Sequence, residues 1–447
     1  MRDDSPGGSI GRSLEPWLPS LELAFSSSRG ASPRAGSGLG RGEIEAAGAA
    51  LLGLQRGLTG SRELAGAAYM DDPELLGAYL LYYWPVSYLQ AALALAELGL
   101  APRRVLDLGS GPGPASAAAL DAARARGSAA ELCLADGSGR ALELAARVLG
   151  PALGAPPRTM RLDLEAPLPR EELAAGGGFD LILLGHCLNE LWRGRADRIE
   201  RRLGLLEAAA ALLAPGGALL VIEPALLATS REAIELRDGL AARGRAILGP
   251  CPRIGRAYPC PALAAGPDRT CHAEAAWDPP EPVASLAAAA GLDRRSVKAT
   301  WFALGAGPEP ATPGGAGEGR GAPEEDDALC GRVVSDPMLN KAGRLRYFLC
   351  AGGRLATLSA PRDDPAARAA GFPSLRRGDF LRLAGTETRP GGGLGLVPGS
   401  RLEILGRAPQ LAASPAGPGE GPARRGAGAG RRPGGPGPRP ARRGGRP

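Results

Sequence analysis

Lysine is almost missing from this 447-residue chain: Lys298 and Lys341 are the only two, so 51 of its 53 cationic side chains are arginine. That skew, together with heavy alanine use, is a compositional bias, and local pattern therefore carries more weight than bulk composition. Aromatic residues are scarce at 4%, which leaves Leu, Ala, Val and Ile to build the core. No uninterrupted apolar run reaches the roughly 20 residues of a membrane span. The nearest, from Ala78 to Leu100, is broken by Pro85, Ser87, Gln90 and Glu97. The opening residues lack the apolar centre of a secretory signal, and Asp3, Asp4 and Glu15 argue against a transit peptide. Seven cysteines, an odd number in a long chain, do not make a secreted disulfide framework. A cytoplasmic monomer that avoids membranes is the expectation.

Glycine (68) and proline (43) are in excess, and the net charge is +6. The charge is local. Residues 408–447 hold eight Arg and one Glu, so the rest of the chain is close to neutral, which excludes a uniformly basic nucleic-acid binder. Half of that tail is Gly or Pro, too little apolar surface to offset its ordering entropy. The expected organisation is a disordered segment over 1–42, a helical lead over 43–103, and an α/β domain over 104–306. A Cys- and Pro-rich insert (249–282) lies inside that domain. A linker (307–327), a small β domain (328–407) and the disordered Arg/Gly/Pro tail (408–447) follow. The short apolar runs at Val105–Leu108, Leu132–Ala135, Leu181–Leu184 and Ala218–Ile222 predict buried parallel strands in a doubly wound sheet.

The segment "RVLDLGSGPGPASAAAL" ends a strand at Asp107 and places Gly109, Gly111 and Gly113 before a helix. Glycines there let the backbone approach a bound nucleotide where a β-carbon would clash. The spacing is not the G-x-G-x-x-G of dinucleotide binding. Asp136 ends the next strand, where an acid can accept both ribose hydroxyls, and Asp163 follows the third, within reach of an adenine amino group. These stations resemble those of the class-I S-adenosylmethionine (SAM)-dependent methyltransferases. In that Rossmann-like fold the end of the fourth strand, "FDLILLGHCLNELW", faces the transferable methyl, making His186, Asn189 and Glu190 candidates for substrate contact and catalysis. The Asn/Asp-Pro-Pro-aromatic tetrapeptide of amino-methylating enzymes is absent.

Cys251, Cys260 and Cys271 crowd into one irregular stretch, a placement that suits metal or cluster ligation because such bonds can replace a core. A fourth thiolate is expected from Cys350, with Cys330 in reserve. His272 adjoins Cys271 too closely to serve the same metal, and Cys133 and Cys187 read as buried apolar residues. Spacing alone leaves zinc and an iron–sulfur cluster both open.

The order of these features – helical lead, "LDLGSGPG", "HCLNELW", "IEPA", Cys-Pro insert, late Cys – resembles the methyltransferase-like proteins of the mitochondrial small ribosomal subunit and their bacterial relatives, over Tyr79 to Leu405. The resemblance implies a 4Fe–4S cluster on Cys251, Cys260, Cys271 and Cys350, and association with small-subunit ribosomal RNA, as methyltransferase or assembly factor. Arg253 stands where the pattern leads one to expect His, and the gaps between the first three cysteines are longer. A SAM-dependent enzyme with a non-ribosomal substrate and a non-catalytic RNA-binding scaffold are the alternatives. Two basic clusters suit phosphate contact: the five arginines of "RGRADRIERRLG" (Arg193, Arg195, Arg198, Arg201, Arg202), and Arg376, Arg377 and Arg382.

Overall fold

The computed structural model describes residues 7–28, 39–60, 62–64, 69–251, 259–292, 294–308 and 328–411. The linker beyond Pro308, Arg253 and the tail beyond Leu411 lie outside the described residues.

Eight strands form the first sheet: β1 (Arg104–Leu108), β2 (Glu131–Asp136), β3 (Arg158–Arg161), β4 (Phe179–Gly185), β5 (Leu213–Pro224), β6 (Arg245–Gly249), β7 (Ala273–Ala276) and β8 (Ser296–Pro308). Their spatial order is β3-β2-β1-β4-β5-β8-β6, with β7 also on β8. The four runs expected as buried strands form the centre, β1, β2, β4 and β5, and pair in parallel. They are apolar almost throughout because helices cover both faces. Strand β8 runs antiparallel to β5. Chain order reverses direction between β1 and β4, and at such a switch point the carboxyl ends of the strands open a crevice.

The helical lead comprises Arg41–Gln55, Pro73–Ala78 and Trp84–Leu98, with π turns at Arg56–Gly60 and Tyr79–Tyr83. Pro85 falls in the first turn of its helix, where no amide donor is needed. The opening segment differs from the expected disorder. It carries helices at Gly7–Ser13 and Leu18–Ser28, and Leu14, Trp17, Leu21 and Phe25 are buried in the main core. Their three- and four-residue spacing is an amphipathic stripe, and Glu15, Pro16, Pro19 and Leu23 between them are exposed. Trp17 stands 5.9 Å from Trp84 and donates to Asp121 at 2.7 Å, and Tyr88 donates to the same carboxylate at 2.7 Å. The beginning of the expected tail is also packed, with Leu411 in that core.

A second sheet forms a carboxyl-terminal barrel from β9 (Leu329–Val333), β10 (Met338–Leu339), β11 (Arg344–Ala351), β12 (Arg354–Pro361), β13 (Phe380–Ala384), β14 (Glu387–Thr388), β15 (Leu394–Gly395) and β16 (Arg401–Gly406). Strand β9 pairs with both β11 and β13, β11 with β12, and β13 with β16, all antiparallel. A parallel pair, β12 with β15, continues the wall. Val333, Tyr347, Leu349, Leu358, Phe372 and Leu381 fill the interior.

Trp17→Ala is expected to destabilise the protein by about 3–5 kcal/mol, the range for emptying a large aromatic site. Urea unfolding should show a lower midpoint at unchanged slope. A change below about 1 kcal/mol would mean that the opening helices lie outside the cooperative unit.

Candidate functional site

At the switch point a cavity of about 1060 Å³ opens over the carboxyl ends of β1, β2 and β4. Asp107, Gly109, Gly111, Asp136 and Asp163 line one side; His186, Asn189 and Glu190 line the other. Lead residues, among them Tyr69, Met70, Asp71, Tyr79, Tyr82 and Tyr83, add to the wall.

The glycine loop is shaped by its neighbours. Gly109 has φ +72°, and a Cβ there would lie 2.6 Å from that of Cys187. Gly111 (φ +52°) presents its amide to Asp136 Oδ2 at 2.8 Å, while Ser138 N donates to Oδ1 at 2.8 Å. These bonds fix the carboxylate in place at the end of β2. Gly113 does not line the cavity: a Cβ there would lie 2.9 Å from Leu149, so its smallness serves helix packing. Asp107 is buried and accepts from Ser116 Oγ at 2.7 Å; burial pushes its carboxyl up to about 7. Asp163 accepts from the amide of Glu165 at 2.8 Å.

On the opposite wall His186 adopts φ +61°, rare for a residue with a side chain. Its Nε2 lies 2.6 Å from Gln90 Oε1, and Gln90 Nε2 donates to the Lys298 carbonyl at 2.6 Å. With the amide so oriented, Nε2 must carry the ring proton. Burial lowers the His186 pKa to about 4, so the ring is neutral near pH 7. Asn189 Nδ2 caps the His186 carbonyl at 2.8 Å, and its Oδ1 accepts from Arg62 at 2.5 Å. Tyr69 donates to Glu190 at 3.5 Å, and Ser138 Oγ to Asp71 at 2.5 Å. The lead thus grips both the β2 and the β4 loops. Sequence reasoning missed Arg62, Tyr69, Asp71 and Gln90; only the tyrosine-rich "YLLYYW" hinted at a functional lead.

The four singled-out cysteines, Cys251, Cys260, Cys271 and Cys350, all line a second, smaller cavity of about 90 Å³ between the insert and the barrel. Cys330 does not line it. Burial pushes Cys271 up to about 11 and Cys350 up to about 12, and the other thiols of the group add to both shifts. Arg237 Nη1 contacts Cys251 Sγ, and Arg332 forms a two-pronged bridge to Glu97 beside them. Among the described residues, no three His, Cys, Asp or Glu side chains gather tightly enough to hold a metal ion.

The basic clusters are largely neutralised. Asp197 takes Arg195 at 2.8 Å and Arg201 at 2.6 Å. Glu232 takes Arg198 at 2.9 Å and the buried Arg202 at 2.8 Å. Arg382 pairs with Glu403 at 2.9 Å, and Arg377 donates to the Val334 carbonyl at 2.6 Å. The expected phosphate-binding helix face is thus a network of ion pairs.

The doubly wound sheet with an antiparallel β8 and a glycine loop after β1 makes this a Rossmann-like domain of the class-I methyltransferase type. Residues 77–278 match the family described as mitochondrial small ribosomal subunit Rsm22. No curated protein matches the chain. Among solved structures, the chain is similar to a SAM-dependent methyltransferase from Clostridium acetobutylicum (18% identity, 31% of this chain and 50% of that one, TM-score 0.24). It is also similar to the plantazolicin methyltransferase BpumL in complex with SAH (12%, 59% and 98%, 0.30). A third is the ribosomal protein L11 methylase from Lactobacillus delbrueckii subsp. bulgaricus (20%, 38% and 74%, 0.27). The chain spans half the length of the first of these.

Glu223, at the end of β5, supports this wall from behind: its Oε1 accepts from Asn189 N at 3.4 Å, while Oε2 is buried without a partner. Burial pushes its carboxyl up to about 8. Because the folded value exceeds the ordinary one, its stabilising contribution is complete at low pH and is lost as pH rises through about 8. Glu223→Gln should therefore gain stability over wild type between about pH 5 and pH 9, approaching about 4 kcal/mol. A pH-independent difference in urea unfolding would contradict the buried-acid assignment.

Proposed function

We propose that this protein binds SAM in the larger cavity and acts in the cytoplasm on or with the RNA of the small ribosomal subunit, as methyltransferase or assembly factor. The observation that carries the reading is the convergence of Asp107, the Gly109–Gly111 loop, Asp136 and Asp163 on one side of a cavity whose other side holds His186, Asn189 and Glu190. The family match over residues 77–278 supplies the ribosomal part. No helix among the described residues is long and apolar enough to cross a membrane.

The donor set fits the cofactor. Asp136, held by two amides, retains lone pairs for two ribose hydroxyls, and Asp163 can accept from an adenine amino group. Bound there, SAM would supply an electrophilic methyl group. This chain's task is then to hold an acceptor in line with it and keep water away. His186 Nε2 donates to Gln90 and is already engaged, whereas Glu190 at the cavity wall is the better placed group for a proton released from an acceptor.

The smaller cavity is, in the same reading, a site for a 4Fe–4S cluster on Cys251, Cys260, Cys271 and Cys350. The donor set supports it: four thiols line one cavity next to Arg237 and Arg332, whose charges favour thiolates. Zinc is the alternative occupant of the same four thiols.

Calorimetric titration should show SAM binding by wild type and at least about tenfold weaker binding by Asp136→Ala; no binding by wild type would favour a scaffold. Co-sedimentation with small-subunit precursors in low salt is expected, and its absence would overturn the ribosomal reading. An anaerobic preparation should be brown and bleach in Cys251→Ser and Cys350→Ser but not in Cys330→Ser. A colourless, zinc-bearing protein would refute the cluster.

A further inference from the structure

On one face of the carboxyl-terminal barrel, Arg346 and Arg389 each keep a buried Nε with no hydrogen-bond partner. A buried donor left unmatched is costly, and native structures retain few of them. Both belong to one surface. In β11, Tyr347, Leu349 and Ala351 point into the barrel, so by the two-residue period of a strand Arg344, Arg346 and Phe348 share its outer side. The register sets Arg346 opposite Ser359 and Phe348 opposite Thr357 on β12. Ser359 in turn neighbours Gly395 on β15, and a Cβ at Gly395 would collide with the Arg389 guanidinium. The row Arg346–Ser359–Arg389 therefore crosses three strands. Exposed Lys341, one of the two lysines of the chain, occupies the turn between β10 and β11.

Counting β9 with β10 as a bent first strand, and β15 with β16 as the fifth, the connectivity is a five-stranded Greek-key barrel. A short helix, Pro365–Ala369, joins the third strand to the fourth. This is the arrangement of the OB-fold, in which the face of strands two and three and the loops after strands one and four take oligonucleotides or oligosaccharides. Fold alone does not choose between them. The side chains do: the face offers guanidinium and ammonium donors and one aromatic ring, and Glu387, 3.3 Å from Arg389, offsets only part of the charge. The far end of the same face, at Cys350 and Leu355, is closed by the cysteine insert.

We infer that this outer face, between the 340–343 and 389–393 turns, binds single-stranded RNA. Arg346, Arg389 and Lys341 would meet backbone phosphates, and Phe348 would stack on a base. The choice of RNA over DNA rests on the small-subunit reading; the site itself does not.

The test is fluorescence anisotropy of the full chain with a labelled oligouridylate of about 12 nucleotides, a length suited to one such barrel, between about 50 and 200 mM salt. The double variant Arg346→Gln/Arg389→Gln should bind about tenfold more weakly, and its log–log salt slope should shrink by about 1.4, two phosphate contacts' worth. Phe348→Leu should weaken binding at least about fivefold at unchanged slope, as loss of stacking requires. Exposed Arg41→Gln, remote in a lead helix, should change neither quantity. Equal SAM binding in all variants would show that they are folded. Wild-type affinity in the double variant, equal competition by duplex RNA, or displacement by a neutral oligosaccharide would overturn the assignment. If wild type fails to sediment with small subunits while the double variant still loses oligouridylate, the face stands and the ribosomal reading falls. If wild type sediments and the double variant keeps its oligouridylate affinity, the reverse holds.

Discussion

Strand β8 is the constraint on which both cavities depend. Its antiparallel pairing with β5 brings its first residues, Ser296 and Lys298, to the carboxyl edge of the parallel strands, where the larger cavity lies. The next residues, Ala299 to Phe302, line the smaller one. The same strand accepts β7 from the insert and β6 on its free edge. A parallel β8 would have put those residues at the other end of the sheet, away from the carboxyl edge. Gln90 reinforces the junction, because its amide spans the Lys298 carbonyl and His186 while facing both cavities.

The buried ionisable groups around the two cavities differ in kind. Around the larger one, carboxyls sit where burial favours their neutral form, as at Asp107 and Glu223. A neutral His186 adds no charge, and the lining mixes Asp71, Asp136, Asp163, Glu165 and Glu190 with Arg161, Arg294, Arg295 and Lys298. Around the smaller one, Arg237 and Arg332 are buried beside thiols and held in their charged form by Cys251 and Glu97 among others, against the cost of burial. Anionic sulfur is what such a lining would stabilise.

Much of the α/β domain was legible because buried parallel strands are continuous apolar runs, and β1, β2, β4 and β5 have that form. The place of the glycine loop and of the acids that follow the strands was legible for a related reason: it is set by position along the chain. What depends on contacts across the chain was not. Serine and glycine in the opening segment masked the Leu14, Trp17, Leu21 and Phe25 stripe, whose partners lie beyond residue 75. The arginines after Trp192 looked available because Glu232, which takes two of them, is 30 residues or more away. Grouping three cysteines needed only their proximity in sequence. Arg237 and Arg332 beside them, and Arg346 and Arg389 on the barrel, emerge only from strand register and helix placement.

The lead helices also set the order in which this chain can mature. Gly48 packs against Ala289, Arg294 lies 5.1 Å above the Tyr82 ring, and Gln90 waits for Lys298, 208 positions later. At about 5–20 residues per second, a ribosome needs roughly 10–40 s to make that stretch. Throughout that interval Gly48, Tyr82 and Gln90 lack their partners at Ala289, Arg294 and Lys298. The helical lead therefore completes its packing only after the last strand of the first sheet has been made.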